Sequence, residues 1–250
     1  MISICNTIRS ETEMNSSEAP KPVAFSSKDE IDAFKDDLEK NLLPLVFQHV
    51  MISFLKNKKL FTPDFITKIS SLYKQAELSH QFALKQYQIE VDKLPKPACK
   101  KGCSYCCGLT VKVAIPELYI IYEHIQSRWG KKEIERIRLK LESFVQKMDQ
   151  CKSRSEKLRI PCAFLENNVC SIYEVRPLPC HAWNSTDVNL CILYLTDQNI
   201  EIPSNIYHYE PYDVVKKGIM KGLFIAGFDE AAEELNSGLL RLFEWEDEEV

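Results

Sequence analysis

Cys99-Lys100-Lys101-Gly102-Cys103-Ser104-Tyr105-Cys106-Cys107 sets four thiols within nine residues, and its reading decides how the chain folds. Two cysteines separated by two residues, as in Cys103-Ser104-Tyr105-Cys106, chelate one ion because a tight turn brings both thiolates to one face. Gly102 supplies the backbone freedom that such a turn needs. Further along, Cys162, Cys170, Cys180 and Cys191 add four more thiols. Pro161, Pro177 and Pro179 stiffen this second segment and lower the entropy cost of holding distant ligands together. Neighbouring side chains in an extended segment point to opposite sides, so Cys106 and Cys107 are expected to serve different metals or different edges of one cluster. The eight cysteines Cys99, Cys103, Cys106, Cys107, Cys162, Cys170, Cys180 and Cys191 divide into two four-thiolate sites, which suits zinc or an iron–sulfur cluster.

Away from these stretches the composition is ordinary for a globular protein, with 45% hydrophobic and 27% charged residues and seven glycines in 250. A glycine-poor chain rich in Leu, Ile, Lys and Glu favours helices. The expected fold is therefore mostly α, with helices packed around an irregular cysteine-rich metal-binding core. A net charge of −4 gives no general attraction to nucleic acid or to an anionic membrane. The first ten residues lack a basic region followed by an apolar one, so no secretory signal is expected. The longest apolar stretch, 42–55, is interrupted by Gln48 and His49 and is too short to span a bilayer. We expect a cytoplasmic protein, held in a reducing compartment where disulfides do not persist and ten cysteines need another use.

Four regions are expected: a flexible polar leader over 1–26, N-terminal helices over 27–95, the cysteine-cluster metal-binding domain over 96–195, and C-terminal helices with an acidic tail over 196–250. The first helix starts at the cap Ser27, and Pro44 should kink or interrupt it. Thr62-Pro63-Asp64 starts a second helix that runs to about Leu94, where Pro95 and Pro97 stop it. After the first cysteine group, 109–115 reads as extended, Pro116-Glu117 opens a helix that Gly130 can end, and 131–157 forms a charged helix. The second cysteine segment carries little regular signal. Beyond Pro211, helices are expected over 214–226 and 229–243.

The combined pattern resembles the cysteine-cluster family often called YkgJ-type, described as zinc- or iron-chelating proteins. The residues that carry the resemblance are Cys99, Cys103 and Cys106-Cys107; Glu117 at the next helix start; Pro161-Cys162-Ala163-Phe164-Leu165; Cys170-Ser171-Ile172-Tyr173-Glu174-Val175-Arg176-Pro177; and Cys180, with Cys191 completing eight. It covers about 96–195. His181 departs from it, standing where members commonly carry arginine. The resemblance implies a centre of zinc or of iron, with a 4Fe–4S cluster included. Relatives include a flagellin lysine methylase, which implies an iron–sulfur enzyme, a protein methyltransferase, as the alternative. Cys99, Cys103 and Cys106 also have the spacing used by radical S-adenosylmethionine enzymes, but their barrel needs more sequence after the motif than this chain offers.

Among the other residues, His181 reads as a packing or supporting group beside a full set of thiolates, and Arg176 as the better candidate for charge compensation than Lys100, Lys101 or Lys112. Tyr105, Tyr173 and Trp183 read as shields that exclude water. Cys5 and Cys151 lie outside both groups and read as spectators. His49, His80, His124 and His208 are scattered singly, and no catalytic triad, phosphate loop or dinucleotide-binding glycine pattern is present. Catalytic residues are left unassigned. The expected partners are a metal ion and a docking protein.

Overall fold

The computed structural model describes residues 27–57, 62–86, 94, 96–152, 159–197, 199–228 and 232–248. The expected leader, the end of the second helix beyond Gln86 and the end of the fourth beyond Lys152 lie outside or at the edge of the described residues. Helix α1 (Lys28–Asn57) begins behind Ser27, whose hydroxyl accepts from Glu30 N at 3.2 Å while the Glu30 carboxylate accepts from Ser27 N at 2.8 Å. Helix α2 (Pro63–Gln86) begins behind Thr62, whose hydroxyl accepts from Phe65 N at 3.2 Å. Strand β1 (Lys112–Ala114) leads into α3 (Ile115–Arg128), and α4 (Lys131–Lys152) follows directly. A hairpin of β2 (Leu165–Glu166) and β3 (Val169–Cys170), then short helices α5 (Leu178–Ala182) and α6 (Val188–Tyr194), carry the second cysteine segment. Helix α7 (Ile206–Ile225), strand β4 (Ala232–Glu234) and α8 (Leu235–Glu248) complete the chain. The fold is mostly α, as expected.

Three details differ from the sequence reading. Helix α1 runs uninterrupted through Pro44. Pro44 lies on the exposed face, where water can hydrate the carbonyl that its missing N–H leaves free. Helix α7 likewise begins well before Pro211 and contains it. Proline removes the bond to the carbonyl four residues back, that of Tyr207, and His80 Nδ1 takes this carbonyl instead at 2.7 Å. The expected helix over 229–243 starts only at Leu235, because 232–234 pairs antiparallel with β1 in the register Lys112↔Glu234, Val113↔Glu233, Ala114↔Ala232. Glu234 then caps α8 by accepting from Ser237 N at 2.8 Å.

Two hydrophobic cores result. One packs α1, α2, α5 and α7 around Phe34, Val46, Phe65, Ile69, Leu178 and Ile219. There α1 and α7 run in the same direction and nearly touch: a Cβ at Gly218 would stand 2.7 Å from Val46 Cγ1, and one at Gly222 2.6 Å from Val50 Cγ1. The other packs α3, α4, α8 and the hairpin around Ile121, Ile125, Leu141, Phe164, Ile172 and Leu239. β1 and α3 belong to both, giving Ala114 and Ile120 to the first core and Val113, Leu118 and Ile121 to the second. The second cysteine segment reaches both: Cys162 and Cys170 pack against the second core, while Leu178 and Ala182 of α5 belong to the first.

Candidate metal centre

Each cysteine segment is placed by a short local device. Gly102 adopts φ +91°, the left-handed conformation that the first turn requires, and Cys103 N donates to Lys100 O at 2.9 Å across it. Cys106 and Cys107 lie in a 3-10 turn, Tyr105–Gly108, rather than in an extended segment. The expectation that their side chains point apart therefore fails. The two thiols hydrogen-bond to each other, Cys106 donating, which favours the thiolate at Cys107 and disfavours it at Cys106. The hairpin turns on Asn167 and Asn168 at φ 49° and 61°, the pair of positive φ values of a tight two-residue connection, and pairs Leu165 with Cys170. Ser104 Oγ reaches Asn168 Oδ1 at 3.0 Å and Cys162 N donates to Cys107 O at 2.8 Å, so the first cysteine group is tied to the hairpin.

Cys180 sits on α5, whose N-terminus is held by Glu117. This carboxylate is fully buried and accepts three bonds: from Leu178 N at 2.6 Å, Ala114 N at 2.7 Å and Tyr73 Oη at 2.8 Å. Burial pushes its pKa up while the three donors pull it back. The residue thus joins α2, the β1–α3 corner and α5 at one point, two residues from Cys180. On the hairpin side, Asn236 of α8 accepts from Ala163 N at 3.0 Å and from Cys162 Sγ at 3.5 Å.

Thiols carried by different segments act on one another electrostatically. Cys180 feels the charges of Cys162, Cys170 and Cys107, and Cys162 those of Cys170 and Cys107. Burial is the main cause that raises all three, taking Cys162 up to about 12. Cys99 faces Cys103 and Cys191 instead, and burial raises it and Cys191 as well. All eight are free thiols; Cys99 is exposed and the others are half-buried. Among the described residues, no group of three or more His, Cys, Asp or Glu side chains is placed to hold a metal ion.

The donor set nevertheless fits a thiophilic ion. Backbone amides two residues on, Phe164 N and Ile172 N, donate to the sulfurs of Cys162 and Cys170, and Ser185 N donates to Cys99 Sγ at 3.3 Å. Such bonds favour thiolate over thiol and are what a metal-bound sulfur uses. Burial alone opposes ionisation of these cysteines, so a cation among them is the natural counter-charge. One protein cation is also present. The Arg176 guanidinium lies 4.3 Å from the Tyr173 ring centre, keeps a buried Nε without a partner, and lowers Cys99, Cys107, Cys170 and Cys180. Lys100, Lys101 and Lys112 are exposed, in keeping with ordinary solvation.

A feature invisible in the sequence lies beside α5. His80, His181 and His208, from three helices, gather around Tyr212 and Glu77. His181 stacks on Tyr212 at 5.5 Å, His80 and His208 meet edge to face at 5.3 Å, and Tyr212 Oη donates to Glu77 at 2.7 Å. Burial and Arg176 hold His181 down at about 4, so its ring is neutral. Its Nε2 is buried without a partner. Spacing gives no hint of this group, because His80 and His208 are brought together only by the packing of α2 on α7. His124 and His49 stand apart from it on α3 and α1. Cys151 lies near the end of α4, and Cys5 is outside the described residues.

Residues 98–202 match the model of the CxxCxxCC family, described as a putative zinc- or iron-chelating domain. The match bears out the resemblance of this part of the chain to a cysteine-cluster family, and all eight cysteines from Cys99 to Cys191 fall inside it. No curated protein and no solved structure matches the chain. No helix among the described residues is long and apolar enough to cross a membrane.

Proposed function

We propose that Cys99, Cys103, Cys106, Cys107, Cys162, Cys170, Cys180 and Cys191 hold zinc or iron in a centre that is structural or serves in metal handling, in a cytoplasmic protein. One observation carries this reading. Cys180 rides on α5, whose Leu178 and Ala182 belong to the core of α1, α2 and α7, Cys162 and Cys170 pack against the core of α3, α4 and α8, and Cys107 lies on a turn whose carbonyl accepts from Cys162 N, yet Cys180 and Cys162 each feel the charges of the other cysteines of this set. An ion bound there cross-links the two cores, so binding energy becomes folding energy. Thiolates suit a soft or borderline ion, zinc or iron, better than magnesium or calcium, which take oxygen ligands. When bound, zinc supplies a fixed tetrahedral junction, whereas iron would add electron transfer.

The test is metal analysis of protein purified without oxygen, paired with its visible absorption spectrum. Colourless protein with stoichiometric zinc, or brown protein with iron and acid-labile sulfide, supports the reading and names the metal. Cys106→Ser and Cys180→Ser should each lower metal content and thermal stability, while Cys5→Ser should change neither. Full occupancy in both cluster variants would falsify the ligand assignment.

A further inference from the structure

The geometry points to Asn236 as a competitor of the metal for the Cys162 sulfur, so that Cys162 is the thiol that leaves when metal is released. This inference rests on the metal-binding reading above and deepens it by naming the ligand through which the centre opens.

Asn236 is the second residue of α8 and is buried, at 3% exposure. Its two amide atoms have partners that settle which is which. Oδ1 accepts from Ala163 N at 3.0 Å, and Nδ2 donates to Glu234 Oε1 at 2.9 Å. Ala163 N can only donate, and the Glu234 carboxylate only accepts. Turning the amide over would set donor against donor on one side and acceptor against acceptor on the other. Glu234 is itself held in place, because its Oε2 accepts from Ser237 N at 2.8 Å and from Ser237 Oγ at 3.0 Å. The atom that stands 3.5 Å from Cys162 Sγ is therefore a carbonyl oxygen.

A carbonyl oxygen in that place is served by the Cys162 thiol, which donates. The bare sulfur of a metal ligand has only lone pairs to offer it. A metal ion on Cys162 takes the place of the S–H proton and costs this hydrogen bond. Cys162 cannot carry the contact away by moving as a segment. Its N donates to Cys107 O at 2.8 Å, its O accepts from Leu165 N at 3.0 Å, and the next amide, Ala163 N, is the one that Asn236 takes. The sulfur leaves Asn236 only by rotation of its own side chain. Cys99 shows the opposite arrangement. Ser185 N donates to its Sγ at 3.3 Å, a bond that serves thiol and metal-bound sulfur alike, while Ser185 O stands further off at 3.9 Å. Phe164 N likewise donates to Cys162 Sγ in either form, which leaves Asn236 as the partner that favours release. A sulfur that gives up its metal thus finds an acceptor waiting, and the ion gains an open position for an incoming ligand.

The test uses the full-length protein, stripped of metal under reducing, oxygen-free conditions and titrated with zinc(II) against a competing chelator. Asn236→Leu nearly keeps the side chain's shape and removes the acceptor. It should bind zinc about 2- to 10-fold more tightly than wild type, the worth of one hydrogen bond lost only from the metal-free side. In a Cys162→Ser background the same change should leave zinc affinity unaltered. A residue that merely supports a ligand behaves the other way, its loss weakening binding about 10- to 100-fold. Infrared spectra of the metal-stripped wild type supply a second measurement, which needs no Asn236 variant to fold. One hydrogen-bonded S–H stretching band should disappear in Cys162→Ser and on addition of zinc. Unchanged or weaker zinc binding in a folded Asn236→Leu, an equal effect without Cys162, or the absence of such a band would overturn the competition and leave the metal-binding reading standing. Wild type that binds neither zinc nor iron would overturn that reading itself.

Discussion

Glu117→Gln is the most informative single change, because it keeps the side chain's shape and alters one hydrogen bond. The carboxylate's Oε1 accepts from both Leu178 N and Tyr73 Oη, while Oε2 accepts only from Ala114 N. A glutamine satisfies most of this by placing its carbonyl oxygen at the two-donor side. Its amide nitrogen then faces the Ala114 N–H, donor against donor, in a position where Ala114 is fully buried. A buried donor left without a partner costs about 1–3 kcal/mol, so Glu117→Gln should lose about that much stability. For a chain of this size the melting temperature should fall by roughly 2–4 °C for each kcal/mol. Glu117→Ala strands two buried amides and the Tyr73 hydroxyl, about 3–9 kcal/mol, which approaches the whole stability of an ordinary domain and makes it a poor probe. Tyr73→Phe should cost about 1 kcal/mol, and although residues in contact couple by about 0.5–3 kcal/mol, its coupling with Glu117→Gln should stay at the low end of that range, since the retained oxygen still serves Tyr73. Chemical denaturation of the metal-stripped and metal-loaded forms measures all three quantities. Stability of Glu117→Gln within experimental error of wild type would refute the clamp, and strong non-additivity with Tyr73→Phe would mean that the amide sits the other way round.

Two further outcomes follow from particular contacts. Gly218→Ala should destabilise the protein by about 1–3 kcal/mol, because its Cβ would stand 2.7 Å from Val46 Cγ1 and 2.8 Å from Val46 Cβ in a packed core; Val46→Ala in the same chain should recover part of the loss, and a silent Gly218→Ala would mean that α1 and α7 separate easily. Arg176→Met should weaken zinc binding about 10- to 100-fold in chelator competition, the usual range for groups that support metal ligands, with Arg176→Lys losing less because it keeps the charge; equal losses in both would point to the Tyr173 stacking rather than the charge as the cause.

How much of the fold was legible depends on whether local or distant residues set each element. Ser27, Thr62-Pro63 and Pro116-Glu117 carry their helix starts in adjacent residues, and the structure places α1, α2 and α3 there. The two interior prolines misled the reading because their effect is decided elsewhere: by solvent on the exposed face of α1, and by His80, 127 residues away, at Tyr207 in α7. Strand β4 was hidden for a similar reason. Ala232-Glu233-Glu234 has no strand propensity of its own and is extended only because β1 lies alongside. A closer reading would have found the hairpin, since Asn167-Asn168 are the residues that tolerate the two positive φ values its turn needs.

For the candidate site, the sequence supplied the cysteines and withheld their arrangement, and the reason lies in what holds each thiol. Spacing names candidate ligands because neighbouring cysteines share a turn, as Cys103 and Cys106 do. It says nothing of Cys180 and Cys162, which become neighbours through Glu117 on one side and Asn236 on the other. Glu117 stood out as part of a recognisable pattern without any chemical role. Its three donors now supply one, because a carboxylate that ties α2, α3 and α5 together fixes the thiol two residues beyond Leu178. Asn236 and Ser185 gave no signal at all, yet each collects a cysteine segment from across the fold. The supporting residues of a thiolate centre are thus harder to read than its ligands: a ligand must be a cysteine, whereas a residue that positions one need only present an acceptor or a donor where the fold delivers it.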